Sequence, residues 1–193
     1  MKYMKMLGLL AVAAAALMAF AATASATTVT SNGSSYTGTI EAESEGATTL
    51  DGVADITCNN STVKGSIASH GDTVTAEGPI EEEKLTFTSC NQHVTVESEG
   101  SLIAHATSNG NGTLTSNGAA VVVVITSLGL TCEFTTSNTD IGTLTGSKTT
   151  GGHATLDIES SAIPRTGGSF FCGSSAKWTG SYTVTAPSSL NLD

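Results

Sequence analysis

Apolar and polar residues alternate with period two in most of the chain beyond residue 26. Leu85 and Phe87 share one face against Lys84, Thr86 and Thr88, and Val94 and Val96 repeat the pattern against His93, Thr95 and Glu97. Ala154, Leu156 and Ile158 align in HATLDIE, and Trp178, Tyr182, Val184 and Ala186 align in WTGSYTVTA, with Thr179, Ser181, Thr183 and Thr185 opposite. Period-two runs bounded by Gly, Ser and Asn predict half-buried antiparallel strands. No 3.6-residue periodicity persists for three turns beyond residue 26.

Asn-Gly pairs begin at Asn32, Asn109, Asn111 and Asn117. Both residues of such a pair tolerate positive φ, which makes it a hairpin signal. The last pair predicts a strand over Gly112 to Ser116, a tight turn at Asn117-Gly118, and a second strand over Ala119 to Thr126. The seven apolar residues from Ala119 to Ile125 are far short of the ~20 that a helix needs to span a bilayer. They predict a central strand covered on both faces, not an exposed sticky one.

Ahead of this region, Lys2 and Lys5 precede an Ala/Leu/Val/Met stretch that closes on Ala24-Ser25-Ala26. This is the pattern of a signal peptide over residues 1–26, cleaved after Ala26. The exported protein is then residues 27–193, of a length expected for one domain. Leu, Ile, Val and Phe supply 34 of those 167 residues, close to the ~20% below which chains tend to stay unfolded. Cross-links are therefore expected to support the core. Cys58, Cys90, Cys132 and Cys172 form an even set without a C-x-x-C pair, as disulfides of an exported protein do and zinc or thioredoxin motifs do not.

An internal echo suggests their pairing. ITC (56–58), GSI (65–67), Cys90 and GSL (100–102) are matched in order by LTC (130–132), GTL (142–144), Cys172 and GSY (180–182). Two similar halves, about 27–118 and 119–193, would each close one bridge, Cys58 with Cys90 and Cys132 with Cys172. The fold class expected is all-β, an antiparallel β-sandwich or jelly-roll-like domain stapled by disulfides.

The formal net charge of −10 becomes −12 once Lys2 and Lys5 are removed. That field disfavours nucleic acid and anionic membrane surfaces as partners. No membrane span is expected after signal cleavage.

Chemistry-bearing patterns are sparse. G-x-S-x-G is absent, and S-x-x-K occurs at Ser61 to Lys64 and Ser174 to Lys177, where a strand would point the two residues to opposite faces. His70, His93, His105 and His153 lie in separate segments without metal-ligand spacing, and no catalytic, metal or cofactor residue is expected. Glu41, Glu43 and Glu45 alternate along one strand face, as a solvated, edge-protecting row would. Further acids cluster at Asp51 and Asp55, Glu81 to Glu83, and Glu97 and Glu99. None has the spacing of a calcium loop. Among the few aromatics, Tyr36, Phe87, Phe134, Phe170, Phe171, Trp178 and Tyr182, Trp178 and Tyr182 are the candidate platform for stacking a sugar. Packing against the Cys132–Cys172 bridge is the favoured use of that pair, and the platform is the alternative. Thr27 to Ser35 is uncharged and could act as a free strand donated to a neighbouring copy, or pair within its own sheet.

The order of a secretory leader, four spaced cysteines, GTLTG at 142–146, and a Gly/Thr strand after Cys172 running into Pro187, Ser188, Ser189 and Leu190 resembles small exported bacterial proteins of the PraA/PraB type. That group is named for a role as an activator of alkane oxidation. The acidic EEEK run at 81–84 departs from the layout. The resemblance implies an extracellular or cell-surface protein without a catalytic site, aiding contact with surfaces or hydrophobic substrate, with self-assembly or a cell-surface partner. The residues also leave open an extracellular glycan or small-ligand binding module and, third, a secreted hydrolase.

Overall fold

The computed structural model describes residues 27–52, 54–71, 74–77, 85–147, 149 and 151–193. The predicted signal peptide and the Glu81 to Glu83 cluster lie outside the described residues. The first strands are β1 (Val29–Ser31), β2 (Ser34–Ser35), β3 (Thr39–Ser44), β4 (Thr48–Asp51), β5 (Ile56–Ser69) and β6 (Val74–Glu77). There follow β7 (Leu85–Cys90), β8 (His93–Ser98), β9 (Ser101–Ala106), β10 (Gly112–Asn117), β11 (Ala120–Ile125) and β12 (Leu130–Thr135). The last are β13 (Thr139–Thr145), β14 (Thr155–Glu159), β15 (Ile163–Gly168), β16 (Ser175–Ala186) and β17 (Asn191–Leu192). One 3-10 turn, Phe170–Cys172, separates β15 from β16. The expected all-β, antiparallel, disulfide-stapled sandwich is the fold observed.

The two longest strands organise it. From the C-terminal part of β16, hydrogen bonding runs through β3, β5, β6, β9, β10, β13 and β14 and returns to β16. Closing the ladder on itself removes its unpaired edges. The N-terminal parts of β5 and β16 continue into a second layer, bridged by β4 and extended by β7 on one side and by β15, β12, β11 and β8 on the other. Each lobe has its own core. Leu114, Ile141, Leu156, Tyr182 and Val184 are buried in the first, and Ile56, Val123, Ile125, Phe134 and Ile163 in the second. Trp178 packs against both. Both cores draw residues from before and after Gly118.

The ends of the described chain are clasped together. Thr28 and Asp193 exchange two backbone hydrogen bonds, of 2.8 and 2.9 Å, and β1 pairs with β17. Val29, Leu190 and Leu192 are buried in the first core. The Thr27 to Ser35 segment thus pairs within its own chain and is not a free strand. Asn32-Gly33, at φ 51° and 75°, forms the β1–β2 turn that its sequence predicts.

Asn117-Gly118 does not form the predicted hairpin. β10 pairs with β9 and β13, whereas β11 pairs with β12 and β8. Gly118, at φ 78°, supplies the left-handed step at which the chain crosses between lobes. The Gly118 N–H donates to Thr136 O, and Asn117 Oδ1 accepts from the Asn138 N–H, so the crossing is held by the β12–β13 connection. The valine run is a central strand as expected, but its two faces differ. Val123 and Ile125 are buried, whereas Val122 and Val124 are half-buried on the other face, with Thr95 and Glu133 flanking Val122.

Candidate functional site

Both disulfides have the expected pairing, Cys58–Cys90 and Cys132–Cys172. The first joins directly opposed residues of β5 and β7. The second ties the buried Cys172, at the end of the 3-10 turn, to β12 in the second core.

That second bridge anchors the most exposed apolar feature among the described residues. Phe170 is 74% exposed and Phe171 63%, with ring centroids 3.9 Å apart. Leu128, in the neighbouring β11–β12 turn, is 57% exposed. The backbone beneath the two rings is tightly held. The Ser169 N–H donates to Thr131 O at 2.9 Å, the Cys172 N–H donates to Ser169 O at 3.0 Å, and Ser169 Oγ accepts from the Phe171 N–H at 3.3 Å. Arg165 closes the loop from the side, Nε donating to Gly173 O at 2.7 Å and Nη1 to Gly168 O at 3.3 Å. Such a loop can present two rings to an apolar surface with little further loss of conformational freedom.

Trp178 and Tyr182 are brought together in interior packing and do not form the alternative sugar platform. Their rings meet edge to face, 6.0 Å apart at 85°, and Tyr182 is fully buried. Phe87 also meets Trp178 edge to face, at 5.9 Å. Alternation along β16 places Trp178 and Tyr182 on one face, and that face points inward, leaving Trp178 half-buried and Tyr182 with no ring face exposed for stacking. Tyr182 Oη donates to Ser61 Oγ at 2.9 Å. Burial pushes the Tyr182 pKa up to about 12, against the opposing effect of Ser61 and of the nearby Trp178 and Thr48 side chains. Trp178 Nε1 and Thr48 Oγ1 are buried beside Tyr182 Oη, close enough to lower its pKa, but neither makes a well-formed hydrogen bond there.

The remaining candidates stay apart. Ser61 is buried beneath Tyr182, while Lys64 pairs with Glu41 at 2.9 Å, so this S-x-x-K does not converge. Glu41 and Glu43 flank the buried Ala42, and Glu45, just beyond β3, accepts from Thr183. His93 contacts Thr95, and His153 Nδ1 contacts Val184 O. Among the described residues no three His, Cys, Asp or Glu side chains come together as a metal would need. Among them, too, no helix is long and apolar enough to cross a membrane.

The aromatic tip is the feature that strand periodicity misses, because Phe170 and Phe171 lie in a turn. Their adjacency is the available signal, since neighbours in an extended chain point to opposite faces and one core cannot take both. No family model, curated protein or solved structure matches the chain.

Proposed function

We propose that this is an exported, non-catalytic surface or matrix protein that makes structural or adhesive contact with hydrophobic surfaces or substrate through the Phe170–Phe171 tip. The observation that carries this reading is the exposure of two adjacent phenylalanines on a loop fixed by a disulfide and by backbone hydrogen bonds. Aromatic rings left in water are costly unless they meet an apolar partner, and exposed apolar patches mark interaction sites. The rest of the outer surface suits a durable extracellular protein, with Thr pairs such as Thr49–Thr179, Thr62–Thr86 and Thr135–Thr166 bonded side chain to side chain between strands. Two disulfides agree with an oxidising compartment. The resemblance to PraA/PraB-type proteins points the same way.

The test is adsorption of the secreted protein to alkyl-coated and hydroxyl-coated sensor surfaces at equal ionic strength. Strong preference for the alkyl surface, little changed by salt, supports the proposal. Equal binding to both coatings, or turnover of an ester or glycoside library that one Ser or acid substitution abolishes, contradicts it.

A further inference from the structure

The interior of the first lobe is incompletely filled. An apolar cavity of about 110 Å³ lies among Ala42, Ala104, Leu114, Ile141, Leu156 and Val184. A smaller one, about 40 Å³, sits on the second-lobe side, with Thr48 in its lining. Leu85, Ala119 and Trp178 line both, and Tyr182 lines the larger. Lys64, Glu99 and Gly100 at the edge of the larger cavity are half-buried, which places a polar rim there.

Protein interiors hold few voids of this size, because unfilled space forfeits dispersion contacts. A cavity of roughly 150 Å³ lined by aliphatic and aromatic side chains stays dry and takes up benzene. The present one approaches that size and differs in one respect. Trp178 Nε1, on a residue that lines both cavities, and Thr48 Oγ1, on one that lines the smaller, are buried beside Tyr182 Oη without a well-formed hydrogen bond. Unpaired buried polar groups are unfavourable. A guest that fills the apolar space and carries one hydroxyl would relieve both deficits, its oxygen accepting from the indole N–H and its hydrogen going to the threonine oxygen.

We infer that the first-lobe cavity binds a small, mostly apolar molecule with a single hydroxyl group, of the size of a monocyclic phenol, its body against the Ala42/Ala104/Leu114 wall and its hydroxyl at Trp178, directed towards Thr48 of the smaller cavity. This site is separate from the exposed Phe170–Phe171 tip and does not depend on the adhesive reading.

The probes are phenol and its hydroxyl-free isostere toluene, titrated into the secreted, disulfide-bonded protein. The chain has one tryptophan and so one indole N–H resonance, which reports directly on the proposed hydrogen bond. Both probes should bind saturably at millimolar concentration or below, and phenol should shift the indole resonance downfield more than toluene does. Thr48→Val, which keeps the shape and removes the oxygen, should weaken phenol about three- to tenfold and leave toluene within twofold, the effect of losing one neutral hydrogen bond. Ala104→Leu, which fills the cavity, should weaken both at least tenfold while the spectrum keeps its native dispersion. Absence of saturable binding of either probe to the unmutated protein overturns the inference. So does an affinity for both that natively folded Ala104→Leu leaves unchanged. If phenol binds with no response to Thr48→Val and no indole shift, the hydroxyl-recognising part is wrong.

Discussion

Tyr182 Oη donates to Ser61 Oγ across 2.9 Å where the two longest strands pass between the cores, and both residues are shut off from solvent. A phenol in that position can hardly ionise. With its folded pKa raised to about 12 from an ordinary value of 10.0, the folded state holds the proton more tightly than the unfolded one. The associated stability is fully present below pH 10 and falls as the pH rises from 10 towards 12, by about 3 kcal/mol for a shift of this size. Denaturant melts of the protein and of Tyr182→Phe at pH 9 and pH 11.5 separate this contribution from general alkaline effects. The unmutated protein should lose distinctly more stability over that interval than the variant. At pH 7 the variant should be destabilised by about 1–3 kcal/mol, because Ser61 loses its donor.

The two bridges close loops between residues 32 and 40 positions apart. In the chain-entropy description each contributes about 4 kcal/mol by restricting the unfolded chain. Replacing Cys132 and Cys172 together by Ala should lower unfolding stability by about that amount in denaturant titrations. Because Cys172 also anchors the aromatic tip, the same variant should show faster amide exchange in residues 169–173 than the Cys58/Cys90 double variant.

Gly168, the last residue of β15, has φ 76°, and a Cβ there would collide with Thr131 O. That carbonyl also receives the Ser169 N–H. Gly168→Ala therefore combines left-handed strain with displacement of the loop entry, and should cost about 2–3 kcal/mol. Thermal melting together with adsorption to an alkyl surface should reveal both losses, whereas Gly129→Ala, also at positive φ (63°) but with open space around it, should cost less.

Much of this architecture is legible from residue order, and the illegible part has definite causes. Alternation places Ala154, Leu156 and Ile158 inward as found, because period two has one meaning in a half-buried strand. The cysteine pairing follows from the repeated spacing. Asn117-Gly118 misleads because an Asn-Gly pair reports a tolerance for positive φ and carries no information about which strand the chain meets next. The valine run overstates its burial, since β-branched residues also suit an outer strand face beside Thr and Glu. For Trp178 and Tyr182, periodicity puts both on one face but cannot say that the other lobe closes over it. The Phe170–Phe171 tip falls in a turn, where strand patterning has nothing to report.

The most direct test of the adhesive reading is the affinity of the disulfide-bonded protein for an alkyl-coated surface or an oil–water interface, compared with that of Phe170→Ser/Phe171→Ser. Burying one phenylalanine is worth about 2 kcal/mol, so the double variant should bind at least a hundredfold more weakly. Its melting temperature should change by no more than a few degrees, because neither ring belongs to a core. Unchanged affinity in a fully folded double variant would contradict the account.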